Sequence, residues 1–410
     1  MSNRAIFALY LAIFVAVLGF SLVSPIIPVY VIDLGASYIL LGIIISAYGA
    51  VQLVAQIPAG MLSDRYGRRP LILIGLLAFA VLAPLYVTVK NAYFLIILRG
   101  LSGLASSCVW PLAMAFIIDN VGISERGRAM GWYNASFYFA LAIGPAIGGF
   151  LYDLLGLEAP FYFWSALLLL SFVIVLTQVR DPAKKSENHE KEKSDCQDNR
   201  YPLKDPVETK SVYREKKEDL ILDGYLLTFI ACCAAVMWTG LMMGFNMTLL
   251  PNYADNLGFS KTEIGVLYLA FAGTTAISNV HFGKVSDRGR RRLLICGGCA
   301  AGTASFLMLA MVSGTLQFLA VMSMLGFASG MCNPASSATI ADITVSSRRG
   351  EIFGVFNTAR MAGAVAGSLV AGVAAEAYGI PGSIFIFAAI AFFITWSTIF
   401  VREPPKPKAI

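Results

Sequence analysis

The sequence predicts an all-α integral membrane protein of 12 transmembrane helices, arranged as two parallel six-helix repeats around a central cavity. Three observations predict it: a scarcity of charge, apolar runs of membrane-spanning length, and a duplication that holds one register along the chain. Of 410 residues, 57% are hydrophobic and only 14% are charged, and the mean hydropathy is +0.71. Soluble domains carry about 25% charged residues, so water cannot be the solvent for most of this surface. Lipid is the alternative.

A membrane-spanning helix needs roughly 20 consecutive apolar residues. Such runs lie near 6–30, 39–62, 70–90, 93–118, 129–151 and 160–179, then near 223–250, 263–283, 293–312, 315–341, 351–375 and 383–401. The first run continues to Val31 with no small-residue cleavage site after it, so it is expected to stay as a span and not to be removed as a leader. Residues 1–180 form the N-terminal half, 181–222 a linker, 223–402 the C-terminal half and 403–410 a tail.

Orientation follows from the basic residues, which gather on the cytoplasmic side of membrane proteins. With the N-terminus cytoplasmic, 27 of the 31 Lys and Arg fall on one face. Only Lys90 and Lys261 fall on the other, while Arg99 and Arg360 lie inside spans. The expectation is a multi-pass protein of the plasma membrane with both termini cytoplasmic. The basic face is called inner and the opposite face outer. The net charge of +6 is explained by that inner face, so no nucleic-acid partner is implied. Cys296 and Cys299 have CxxC spacing within the ninth run, but no His or acid stands near them, so no metal or redox site is expected.

Shifting the sequence by 223 residues aligns the two halves without a gap. Pro28 meets Pro251, Gly35 meets Gly258, Gly42 meets Gly265, Asp119 meets Asp342, Gly149 meets Gly372, and Gly156 meets Gly379. Each half has an even number of spans, so the repeats are parallel and related by an axis along the membrane normal. Two such halves can rock about a central site. Residues 181–220 carry ten basic and eleven acidic residues and almost nothing apolar, the composition of a disordered cytoplasmic tether.

Between the second and third runs stands Gly60-Met-Leu-Ser-Asp64-Arg65-Tyr-Gly67-Arg68-Arg69. Here the chain resembles the major facilitator superfamily, whose signature in this loop is G-x-L-[SA]-D-R-[YF]-G-R-[RK]. A decayed copy follows in the second half, with Gly283, Asp287 and Arg288 at matching positions. The resemblance implies that Asp64 is a gate element, capping the N-terminus of the eleventh helix when the inner side is closed. Asp119 and Asp342, at inner helix ends, are grouped with this gate. For the arginines of the loop, a purely topological role stays open.

Arg99 lies in the fourth span, where relatives carry an arginine discussed as a proton relay or substrate-positioning group. A charge at that depth is read as functional, although snorkelling to the outer surface is an alternative. Gly144-Pro145-Ala-Ile-Gly148-Gly149 in the fifth span resembles the G-P-x-x-G-G motif of drug–proton antiporters. The small residues let helices pack backbone to backbone, and the proline permits a bend. The N-terminal stretch from Ser24 to Gly35 also resembles the multidrug efflux branch.

None of the 25 Asp and Glu lies in the middle third of a span. Asp33, Asp153, Asp255 and Glu376 sit at outer ends. Mid-span polar groups are amides, among them Asn246 and Asn357, which can bind substrate but cannot carry protons. Arg360 lies about 13 Å into the eleventh span at ~1.5 Å per residue and is a candidate contact for an anionic substrate group, with pairing to Asp64 or Asp342 as the alternative. Arg99, Arg360, Asn246, Asn357 and Asp33 are the candidates for substrate or coupling. Phe245, Tyr268, Trp110, Phe137, Tyr138, Tyr48, Phe14 and Phe20 are candidate cavity aromatics.

No catalytic residue, metal site, cofactor or phosphate-binding loop is expected. The resemblance implies proton-coupled export of small amphipathic or drug-like compounds by alternating access. The alternatives are a uniporter or symporter of a small metabolite, anions included, and a sensor that keeps the fold without transporting. The implied partners are the lipid bilayer, a small-molecule substrate and protons, with the chain acting as a monomer.

Overall fold

A computed structural model describes residues 3–122, 125–179, 224–287, 289–344 and 349–402. The linker expected at 181–222, the tail at 403–410 and Arg288 of the second signature copy lie outside the described residues. The first half comprises α1 (Asn3–Leu22), α2 (Ile26–Asp33), α3 (Tyr38–Tyr66), α4 (Arg68–Thr88), α5 (Ala92–Ser107), α6 (Trp110–Asn120), α7 (Arg126–Leu155) and α8 (Glu158–Gln178). The second comprises α9 (Leu226–Thr248), α10 (Leu250–Asn256), α11 (Lys261–Asp287), α12 (Arg291–Leu309), α13 (Thr315–Ile343) and α14 (Arg349–Ser397).

Among the described residues, eleven helical stretches have the length and composition to cross a membrane. The last runs from Glu351 to Phe400, 50 residues. At ~1.5 Å per residue it would be about 75 Å long, more than twice the roughly 30 Å hydrocarbon core. It is broken at Gly379, which has φ 71° and ψ 172°, so it makes two crossings and the total is twelve. The apolar runs leave 376–382 between the last two spans. The break falls inside that interval at a single left-handed glycine, with Pro381 soon after it, since proline at a helix start has no hydrogen bond to lose.

Three spans are each divided into two helices. The divisions fall at Pro25 between α1 and α2, just before Pro111 between α5 and α6, and at Leu249 before Pro251 between α9 and α10. Proline supplies no backbone N–H to the preceding turn, so each division sits where the helix ladder is already interrupted.

The duplication is written into the backbone. Gly35 and Gly258 have φ 80° and 84°, and Gly156 and Gly379 have φ 88° and 71°. Gly67 of the loop signature has φ 96°, and the residue 223 positions later, Arg290, is the only described non-glycine with positive φ, at 66°. The second copy lost the glycine and kept the turn.

Each half encloses its own apolar cluster. In the first, Trp164 meets Phe79, Tyr86 and Phe20; in the second, Phe306 meets Trp238, Phe245 and Phe387. The halves meet mainly along two helix pairs, α3 with α14 and α7 with α11.

Candidate functional site

The two interfaces between the halves are copies of one another. A Cβ on Gly42 would meet the Ser368 carbonyl oxygen and the Gly372 backbone, and one on Gly372 would meet Gly42 and the Tyr38 carbonyl. On the other side, a Cβ on Gly265 would meet the Pro145 carbonyl, and one on Gly149 would meet Lys261. Where repeat-related chains touch directly, they mark the axis itself: the Ser24 hydroxyl donates to Met247 Sδ at 3.0 Å, and the two residues are 223 apart.

These close approaches are confined to the outer part of both pairs. Going inward along α3 and α14, the last close glycine contact is Gly49 against Val365. Beyond it, Gly60 and Gly354 have nothing near them, and on α7 and α11 the same holds for Gly131, Gly127, Gly273 and Gly283. The halves therefore close at the outer face and part toward the basic inner face.

The helix ends explain what fastens the outer face. Asp153, near the end of α7, accepts hydrogen bonds from the backbone N–H of Lys261 (3.2 Å) and Thr262 (2.8 Å) and from the Thr262 hydroxyl (2.6 Å). Those are the first N–H groups of α11, which have no partner within their own helix. Glu376, 223 residues after Asp153, accepts from the N–H of Tyr38, the first residue of α3, at 2.8 Å. The third N–H of each capped helix is satisfied from within its own half. Leu40 donates to Ser37 Oγ at 3.2 Å and Glu263 to Ser260 Oγ at 3.1 Å.

At the inner ends the corresponding groups are apart. Asp64 is 74% exposed, and its ion partner is Arg68, one turn along the chain, at 3.8 Å. Arg68 also holds Asp119 at 2.9 Å. The second half repeats this pair in Arg291 and Asp342, and Arg291 donates as well to the Ala338 carbonyl at 3.0 Å. Asp287 is exposed. The structure thus brings Arg68 together with Asp119, and Arg291 with Asp342, and brings neither Asp64 nor Asp287 to the opposite half.

Within the membrane, Arg99 is 6% exposed, so it does not snorkel to the surface. Its guanidinium lies 5.9 Å from the centre of the Tyr48 ring and its Nε has no hydrogen-bond partner. A cation over an aromatic face is attracted by the ring quadrupole. Arg360 is half-buried on α14, and no described carboxylate pairs with it. The alternative pairings to Asp64 and Asp342 are not made. The small residues beside it, Gly363, Ala364 and Gly367, pack on the α9 backbone and do not line an open face.

Asn246 is 2% exposed, with both amide atoms unpartnered, while its backbone carbonyl accepts the Tyr268 hydroxyl at 2.5 Å. Asn357 is exposed on the inner part of α14. Asp33, at the outer face, lies within electrostatic range of Lys261 and Asp255, which form an ion pair. Several candidate aromatics prove to be packing residues. Phe245 and Tyr268 are buried in the second half and Trp110 in the first, whereas Tyr138 is 54% exposed.

The family model of the Major Facilitator Superfamily matches residues 9–249 and again residues 227–410. The chain belongs to the Major Facilitator Superfamily. It is 26% identical over 400 residues to an uncharacterized MFS-type transporter of Methanocaldococcus jannaschii, covering 98% of both chains. It is 32% identical over 182 residues to the quinolone resistance protein NorA of Staphylococcus aureus, a match spanning 44% of this chain and 47% of NorA. Among solved structures, a bacterial homolog of the human lysosomal transporter Spinster, in an inward-facing and occupied conformation, aligns over 97% of this chain and 96% of that one. Its TM-score is 0.79 at 13% identity, a likeness of fold.

As a superfamily member, the chain is a multi-pass membrane transporter. The sequence places Asp153 and Glu376 at outer helix ends and does not by itself show what they bind. The signal was available: the 223-residue shift that aligns Asp64 with Asp287 also aligns Asp153 with Glu376, and Ser37 with Ser260.

Proposed function

We propose that this transporter exports small amphipathic compounds by alternating access, driven by inward proton movement across the plasma membrane, with both termini cytoplasmic. The observation that carries the alternating-access part is the one-sided closure. Close backbone contact between the halves stops at Gly42 and Gly265, Gly49 touches only the Val365 side chain, and the glycines further in, Gly60, Gly354, Gly131, Gly127, Gly273 and Gly283, stand free. The G-P-x-x-G-G segment and the partial likeness to NorA support the direction and the substrate class. Since no acid lies mid-span, proton coupling runs through helix-end carboxylates and the Arg99 region.

A second reading, uptake or exchange of an anionic metabolite, is favoured by one observation: two membrane-embedded arginines, Arg99 and Arg360, lack carboxylate partners. Buried cations without a partner are costly, and a bound anion offsets that cost. Purified protein in liposomes distinguishes the readings. Cationic and zwitterionic amphipathic dyes should leave the cytoplasm-equivalent side faster when the opposite side is acidified. Transport of small carboxylates with no response to a pH gradient would instead establish the second reading.

A further inference from the structure

The geometry points to Asp153 and Glu376 as the outer gate of the transport cycle, each fastening the outer face by capping a helix in the opposite half. The inference rests on the alternating-access reading and adds the residues that hold its outward-closed state.

The first N–H groups of α3 and α11 have no intrahelical acceptor, and the aligned peptide dipoles leave partial positive charge there. Ser37 and Ser260 satisfy the third N–H of each from inside the same half. The first N–H of α3, and the first two of α11, are instead satisfied by carboxylates from the other half, Glu376 and Asp153. A helix that merely needed a cap could draw it from its own loop. Here the cap crosses the interface twice, at repeat-related positions, on the two helix pairs that join the halves.

These bonds can exist only while the outer ends are together. Opening the outer face strips both helix starts of their acceptors, and both carboxylates of their donors. The surrounding charge does not replace them. The Lys261 ammonium is paired with Asp255, and Asp33 adds a further negative charge nearby. The same helix pairs carry the loop signature at their other ends, since α3 ends beside Asp64 and α11 at Asp287. One pair of rods thus has a carboxylate contact available at each end, and in this state only the outer one is made.

The test measures distance, not transport. Spin labels are placed at Lys90 and Ser313 on the outer face, and at Arg126 and Lys284 on the inner face, in full-length protein with its native cysteines replaced. All four label positions are exposed. Asp153→Ala combined with Glu376→Ala should lengthen the outer distances and shorten the inner ones. The ratio of the two states should change by about two- to five-fold per cap, the range expected for a charge at an exposed helix terminus. Ser37→Ala with Ser260→Ala weakens the same helix starts from within one half and should leave the ratio unchanged. Unchanged distances in the carboxylate variant overturn the proposal. So does an equal shift in the serine variant, which would mean that simple fraying of the helix ends is responsible. If the distances shift as expected while wild-type protein moves no dye in liposomes, the exporter reading fails and the gate stands.

Discussion

The outer and inner ends of the same helix pairs are built from similar parts and are in opposite conditions. At the outer ends, glycines bring backbones into contact and carboxylates cap helices across the interface. At the inner ends, the glycines face open space and Asp64 has turned to Arg68 on its own side. The lesson concerns what kind of contact can serve a moving interface. Large interdigitated side chains would fix the halves together, as they fix each half internally around Trp164 and Phe306. Glycine faces and exposed caps give contacts of modest strength, which one conformational step can exchange for the equivalent set at the far end.

The largest effect should come from splitting the G-P-x-x-G-G segment, whose glycines do two different jobs. Gly144 and Gly148 face α1 of their own half, at Ser21 and Leu22, whereas Gly149 faces Lys261 and Thr262 of the other half. Gly148→Val should therefore damage folding, since overpacking a core costs about 1–3 kcal/mol, and its yield in the membrane should fall. Gly149→Val should fold and insert normally, yet be unable to close at the outer face, with transport reduced more than about tenfold, a barrier of ~1.4 kcal/mol or more. Gly60→Val supplies the contrast, because a Cβ there meets nothing in this state. It should leave the outward-closed state intact and impede only closure of the inner side. Equal loss of folding in Gly148→Val and Gly149→Val would break the distinction between packing and gating glycines.

Next in size is the inner carboxylate. Asp64→Asn should insert normally but cut transport severely, while Asp287→Asn should do less, because the second signature copy has lost its glycine at Arg290. Small and equal effects in initial-rate assays would remove Asp64 from the gate.

A smaller effect is expected within the membrane. Arg360→Gln should raise the half-saturation concentration for an anionic or electronegative substrate, with partial recovery in Arg360→Lys. Its repeat partner, Phe137, shows that the scaffold needs no cation at this position. Unaltered half-saturation with lowered yield alone would make Arg360 a structural residue.

The sequence carried the architecture because lipid imposes long apolar runs and duplication leaves a register that simple comparison detects. It also carried Asp64 and the glycine segment, as spelled motifs. It did not reveal which glycine faces which helix, since Gly148 and Gly149 are adjacent and differ only in direction around α7. Nor did it reveal the outer caps, because a carboxylate at a helix end is unremarkable until its donor is known to lie 108 residues away in the other half. The apolar runs also leave 376–382 between the last two spans without saying how the chain turns there, and one left-handed glycine, Gly379, is enough to reverse it.

The smallest expected effect concerns the ion pairs that the two halves share, Arg68 with Asp119 and Arg291 with Asp342. Their repetition 223 residues apart shows that the loop arginines are placed by more than topology. In each pair the arginine begins one helix and the acid ends another in the same half, so the bond ties neighbouring spans together and does not cross the interface. It should therefore be indifferent to which face is open. Exposed ion pairs are worth about 0–1 kcal/mol, and Asp119 is 52% exposed at its side chain. Asp119→Asn should accordingly lower thermal stability in detergent slightly, with the loss fading at high salt, and should leave the ratio of inward- to outward-open states unchanged. A double-mutant cycle between Arg68 and Asp119 measures the pair directly. Asp64 complicates the cycle, because it stands 3.8 Å from the same guanidinium. Repeating the cycle with Asp64→Asn in the background isolates the pair. If the coupling between Arg68 and Asp119 depends on which face of the transporter is open, then Arg68 exchanges partners during the cycle. The inner gate would in that case include the whole Asp64–Arg68–Asp119 group and not the aspartate alone.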